Sequence, residues 1–97
     1  MKIQLLSTAF ADIAEAQLFY EKQQKDLGVY FQDAMFADID SLIVYAGVHL
    51  QVFGFYRALS KVFPYAIYYK IEPESVVVWH VLDCRAKPAR IKRMLKN

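Results

Sequence analysis

The residues of this chain best suited to chemistry are its cations. Arg57 and Lys61 stand four apart in FYRALSKV, a stretch that reads as a strand, so their side chains leave the same face. Arg85 follows the last apolar run, and Lys87, Arg90 and Arg93 come after it. If the sheet brings these segments together, they form a basic groove beside the C-terminal helix. Such a groove suits a phosphate backbone, held by charge and largely without reading sequence. Tyr56, Tyr65 and Tyr68 are the aromatic residues at hand for stacking on splayed bases. A purely structural account competes with this one: Arg57 and Lys61 lay their stems over apolar surface and pair with some of the ten acids.

Other chemistry is thinly supplied. The chain has no Gly-rich phosphate loop, no Cys/His metal spacing and no Ser-centred nucleophile motif, so neither a metal nor a cofactor is expected. His80, between Trp79 and Val81, reads as a satisfied core histidine rather than a catalytic one, and His49 reads as a solvated loop residue. Cys84 is the single cysteine, which excludes an intramolecular disulfide and fits a reducing compartment. Arg85 beside it is the kind of neighbour that lowers a thiol pKa, but a buried inert thiol is the expectation.

The net charge of +2 hides a division along the chain. Residues 1–84 carry six Lys/Arg against ten Asp/Glu, whereas residues 85–97 carry six cations and no acid. A segregated basic end suits nucleic acid, an anionic membrane or an acidic protein. It also suits a solvated terminal helix whose cations face the negative end of its dipole. Seven Phe, seven Tyr and one Trp in 97 residues are hard to hide in one small core, which favours a surface meant for a partner. The N-terminus lacks the apolar run of a signal peptide, and no run reaches the ~20 apolar residues of a membrane span. The expectation is one cytoplasmic domain spanning residues 1–97, with no membrane contact.

The elements that must position these cations follow from periodicity. Lys2 to Leu6 suits an edge strand, and Ser7 or Thr8 offers an N-cap oxygen to the helix after it. Ala9, Ile13, Ala16 and Tyr20 share one face of a helix running from Ala9 to about Gln24. Asp26 is placed to cap a second helix, which runs to Tyr45 or Ala46 and stops at Gly47. Phe31, Met35, Ile39, Leu42 and Ala46 are its buried stripe, and Asp33, Asp38 and Asp40 its wet side. Gly47 to Gly54 reads as a loop. Three strands follow: Phe55–Val62, Tyr65–Ile71 and Val76–Asp83, the last apolar on both faces and therefore interior. Pro88 opens a final helix with Ile91, Met94 and Leu95 on one side. The order β-α-α-β-β-β-α implies an α+β fold, with an N-terminal helix hairpin on one face of a mostly antiparallel sheet.

Several of these pieces resemble the RelE/ParE superfamily of type II toxin–antitoxin toxins, also called plasmid stabilisation proteins. They are Asp12-Ile13 through Tyr20-Glu21, Leu27-Gly28 with Phe31, Phe63-Pro64-Tyr65-Ala66-Ile67-Tyr68-Tyr69, and Val81-Leu82 followed by Arg85, Lys87 and Pro88. The resemblance covers nearly the whole chain and implies the same helix hairpin on an antiparallel sheet. It implies a growth-arresting toxin held inactive by a cognate antitoxin, through an acidic, partly disordered segment that folds onto the basic groove and apolar patches. RelE-like members cut mRNA on the ribosome, and ParE-like members poison DNA gyrase. For the ribonuclease chemistry the matching cations are Arg57 and Lys61, loosely, and Arg85 more closely. Lys87, Arg90 and Arg93 are the target-binding set. RelE-like ribonucleases usually carry a Tyr or His in the C-terminal segment, and Ala86 to Asn97 contains neither. That departure leaves acid–base help poor and moves the balance toward the ParE-like branch. The alternatives are the RelE-like endoribonuclease and a non-toxic, partner-binding derivative of the fold.

Overall fold

Alternating side chains give the sheet two apolar faces, and different helices cover each. Tyr65, Ile67 and Tyr69 leave one side of their strand and join the larger core; Ala66 and Tyr68 leave the other and join a smaller one. The computed structural model describes residues 1–96. Its elements are β1 (Lys2–Leu5), α1 (Ser7–Gln23), α2 (Leu27–Asp40), α3 (Leu42–Tyr45), β2 (Gln51–Val52), β3 (Phe55–Leu59), β4 (Tyr65–Glu72), β5 (Ser75–Asp83) and α4 (Pro88–Leu95). One sheet runs β1-β5-β4-β3-β2, parallel only at the β1–β5 pair. The fold is α+β with a mostly antiparallel sheet, as the sequence implies. Among the described residues no helix is long and apolar enough to cross a membrane.

The larger core lies between the sheet and the α1–α2 hairpin. Ala9, Ile13 and Ala16 of α1 and Phe31, Met35 and Ile39 of α2 meet Ile67, Tyr69, Val76 and Val78 there. Gly28 sets the helix spacing, since a Cβ on it would stand 2.7 Å from the Gln17 carbonyl oxygen. Tyr20, Phe31, Phe63 and Tyr65 form an aromatic cluster with centroids 4.9–6.2 Å apart. The cluster explains FPY: Phe63 packs against the hairpin and Pro64 stands in the β3–β4 loop. On the opposite face Ile91 and Leu95 of α4 pack on Phe55, Ala66, Tyr68 and Leu82.

Several local expectations are corrected. Neither Ser7 nor Thr8 caps α1; Leu6 holds the N-cap position, and the Thr8 hydroxyl donates instead to the Trp79 carbonyl. Asp26 occupies the cap position of α2 at φ 70° but makes no side-chain cap. Glu21 does that work from the preceding helix, accepting from the Asp26 N–H at 3.0 Å and the Gly28 N–H at 2.9 Å. The second helix ends at Asp40, where Ser41 Oγ donates back to the Asp38 carbonyl at 2.6 Å, and α3 continues to Tyr45. Gly47, at φ 94°, is the stop that the sequence implies. Asp38 is buried rather than wet: its Oδ2 accepts from Ser60 Oγ at 2.8 Å and the Lys61 N–H at 3.3 Å.

The segment between Gly47 and Gly54 is not wholly loop. Gln51–Val52 pairs with β3 through a tight turn in which Phe53 and Gly54 both have positive φ, 53° and 84°. The usual Asn or Asp is replaced there by Phe, so the turn carries no composition cue. Between β4 and β5 the register slips at Tyr68/Tyr69 of β4, leaving Trp79 of β5 as an extra residue. Val78 and Val81, three apart, therefore both reach the larger core.

Candidate functional site: two clefts beside the basic helix

Where β1 stops, at Leu5, the edge of β5 continues without a strand beside it. The start of α1 supplies the missing partners. Leu6 N–H donates to the Val78 carbonyl at 3.0 Å, and the Val81 N–H donates to Asp12 Oδ2 at 2.9 Å. The same carboxylate oxygen lies 2.8 Å from His80 Nδ1. His80 is thus a buried, satisfied histidine, as its sequence context implies. Burial pushes the Asp12 carboxyl above its ordinary value, against the opposing pull of the Val81 N–H and His80.

Asp12 also borders the larger cleft, about 460 Å³, between α1, the end of β5 and α4. Glu15 and Phe19 line it from α1, Tyr65 from the floor, and Arg90 and Met94 from α4. Arg85 reaches it as well, but held by Asp83. Its backbone N–H and Nε donate to Asp83 Oδ1 at 2.8 and 3.0 Å, and its Nη2 donates to Oδ2 at 2.8 Å. This forked pair holds the Asp83 carboxyl below the usual carboxylate range and raises the guanidinium above its own. The Tyr65 phenol is pushed up to about 12, chiefly by burial, so it keeps its proton at neutral pH. Cations and carboxylates are mixed here, and the cleft is not a uniformly basic groove.

Arg57 lies elsewhere. It lines a second cleft of about 270 Å³, shared with Phe53 at the β2–β3 turn and with Cys84, Pro88 and Ile91. Its Nε donates to the Tyr68 hydroxyl at 3.2 Å and its Nη2 to Cys84 Sγ at 3.5 Å. The Tyr68 contact is the main cause of a raised Arg57 pKa. Lys61 falls beyond the end of β3, exposed, with its backbone held by Asp38. The structure therefore brings Arg85 and Arg90 to one cleft, Arg57 to another, and Lys61 to neither. Lys87, at the N-cap position of α4, and Arg93 on its second turn are exposed.

The stacking expectation changes too. Tyr65 and Tyr68 are buried, and Tyr56 is stacked on Tyr69 with centroids 5.2 Å apart. His49 is half-buried rather than solvated, its Nδ1 2.6 Å from the Tyr69 hydroxyl, which also accepts from the Gly47 N–H at 2.9 Å. Among the described residues no three His, Cys, Asp or Glu side chains converge as metal ligands. Sequence reasoning missed Glu15 and Phe19 as lining residues, because they fall off the apolar stripe of α1; it placed Met94 on the apolar side of α4 but could not show that a cleft lies beside it.

No protein-family profile and no curated protein matches the sequence. Among solved structures, a chain described as the chromosomal ParDE TA system from P. aeruginosa superposes with a TM-score of 0.75 at 12% identity. The match covers 84% of this chain and 92% of that one. At this identity the likeness concerns the backbone fold alone. The protein shares its fold with that ParDE-system chain.

Proposed function

We propose that the protein is the toxin of a type II toxin–antitoxin module, neutralised by a cognate antitoxin, and that it arrests growth as a ParE-like inhibitor of DNA gyrase. The fold supports the first part. One observation carries the second: the candidate catalytic cations are each tied to other groups or lie apart, and do not converge on one site. Arg85 is tied to Asp83, Arg57 is held by Tyr68 and Cys84, and Tyr65 keeps its proton. Cleavage of RNA by its own 2′-OH needs a base, an acid and free cations around one phosphate. Both histidines are engaged with other groups, His80 with Asp12 and His49 with Tyr69. A protein that docks on its target needs none of this, and exposed α4 cations beside apolar surface suit docking.

The test is induction of the protein alone, with new mRNA 5′ ends mapped across the transcriptome and supercoiling by purified gyrase followed with added protein. Growth arrest, intact messages and inhibited supercoiling are expected. Cuts clustered at fixed codon positions overturn the gyrase reading in favour of a RelE-like ribosome-dependent endoribonuclease. Harmless induction overturns toxicity and leaves a partner-binding derivative of the fold. Co-expression of the neighbouring gene should suppress arrest and yield a co-purifying complex.

A further inference from the structure

The cleft at Arg57 has a chemistry of its own. Apart from Arg57 and the groups that hold it, its wall is apolar: Val52, Phe53, Ala86, Pro88 and Ile91. Arg57 is half-buried in that wall and anchored by two uncharged partners, Tyr68 and Cys84. Among the described residues no carboxylate pairs with it; the ion pairs there are Asp12–His80 and Asp83–Arg85. A guanidinium carries five N–H donors in a planar fork, and only Nε and one Nη2 hydrogen are used here. The cleft thus presents a fixed, uncompensated cation to an apolar hollow. Lys92, whose Nζ rides 5.8 Å above the Phe53 ring, adds positive potential near the mouth.

We infer that this cleft is a peptide-binding site that takes a carboxylate side chain flanked by a large apolar residue, the carboxylate on Arg57 and the apolar group against Phe53 and Ile91. Charge complementarity selects the occupant. A planar fork matches a carboxylate in two parallel hydrogen bonds, strongest where water is excluded. A phosphodiester chain fits less well: it brings a charge with every nucleotide and polar sugars between, whereas the wall holds one guanidinium among hydrocarbon. The inference extends the toxin reading to the chemistry of the partner segment. Its test uses no growth readout, so either can fail without the other.

The test uses the full chain and two capped peptides, acetyl-Phe-Glu-Leu-amide and its Gln counterpart, followed by chemical shifts of the Arg57 Nε–H and of Ile91. Cys84 lines the cleft, so its rate of alkylation by iodoacetamide is an independent reading of occupancy. The Glu peptide should bind about tenfold or more tightly than the Gln peptide, the difference a charge-assisted fork supplies, and should slow alkylation of Cys84. Arg57→Gln should erase that difference, and Lys25→Gln, in the distant α1–α2 turn, should keep it. Equal binding of the two peptides overturns the inference with no variant required, as does failure of both to bind. Stronger Cys84 protection by a short oligouridylate overturns it in favour of a nucleic-acid cleft.

Discussion

At the scale of single residues, the decisive feature is how many polar side chains serve the backbone of another element. Asp12 is the strongest case. One carboxylate oxygen satisfies both the Val81 N–H and His80 across the open edge of β5. Asp12→Ala leaves a buried amide and a buried imidazole without a partner, and should destabilise the fold by roughly 2–3 kcal/mol. Asp12→Asn keeps an acceptor for Val81 and removes a carboxyl that burial already disfavours, so it should cost about 1 kcal/mol or less. Urea unfolding of the two variants checks this order; equal losses would mean that the charge itself, rather than the accepting oxygen, stabilises the edge. Arg85 follows the same logic on the surface. Its fork with Asp83 shapes the end of β5, and a role in target binding requires a group that can compete with that partner.

Among the elements, the α1–α2 hairpin is the most tightly specified. Gly28 lets the two helices approach where any side chain would strike the Gln17 carbonyl, and Glu21 ties the turn by capping α2. Gly28→Ala should therefore cost about 1–3 kcal/mol by forcing the helices apart, although Ala is the better helix former. Urea denaturation of that variant gives the answer directly. A stabilised Gly28→Ala protein would show that the hairpin yields without loss. Lys25-Asp26-Leu27-Gly28 reads as a break from sequence, yet Leu27 and Gly28 already belong to α2 and the turn lies before them. Sequence is silent on the neighbour that excludes a Cβ at Gly28. Likewise, the Phe53-Gly54 turn went unread because a left-handed Phe follows from the β2–β3 pairing rather than from its own preference.

Across the whole molecule, the division of charge survives folding. Lys87, Arg90 and Arg93 stay exposed along α4 while Ile91 and Leu95 hold that helix to the sheet. Replacing all three cations by Gln should change stability by no more than about 1 kcal/mol and abolish growth arrest. Thermal unfolding beside induction in cells separates the two effects; arrest by a well-folded triple variant would remove α4 from the target surface. Periodicity and punctuation determined much of this protein in advance: the helix hairpin, the two-faced strands, the interior position of β5 and the core setting of His80. These depend on which way neighbouring side chains point, a property local to the chain. Tertiary structure alone decided that Arg57 and Arg85 border different clefts, that Asp83 holds Arg85, that Asp38 is a buried acceptor and Asp12 a half-buried one, and that the tyrosines offered for stacking are already packed. The physical reason is that a repeat fixes the face a side chain leaves by, but the group it meets there comes from sequence as distant as the 69 residues between Asp12 and Val81.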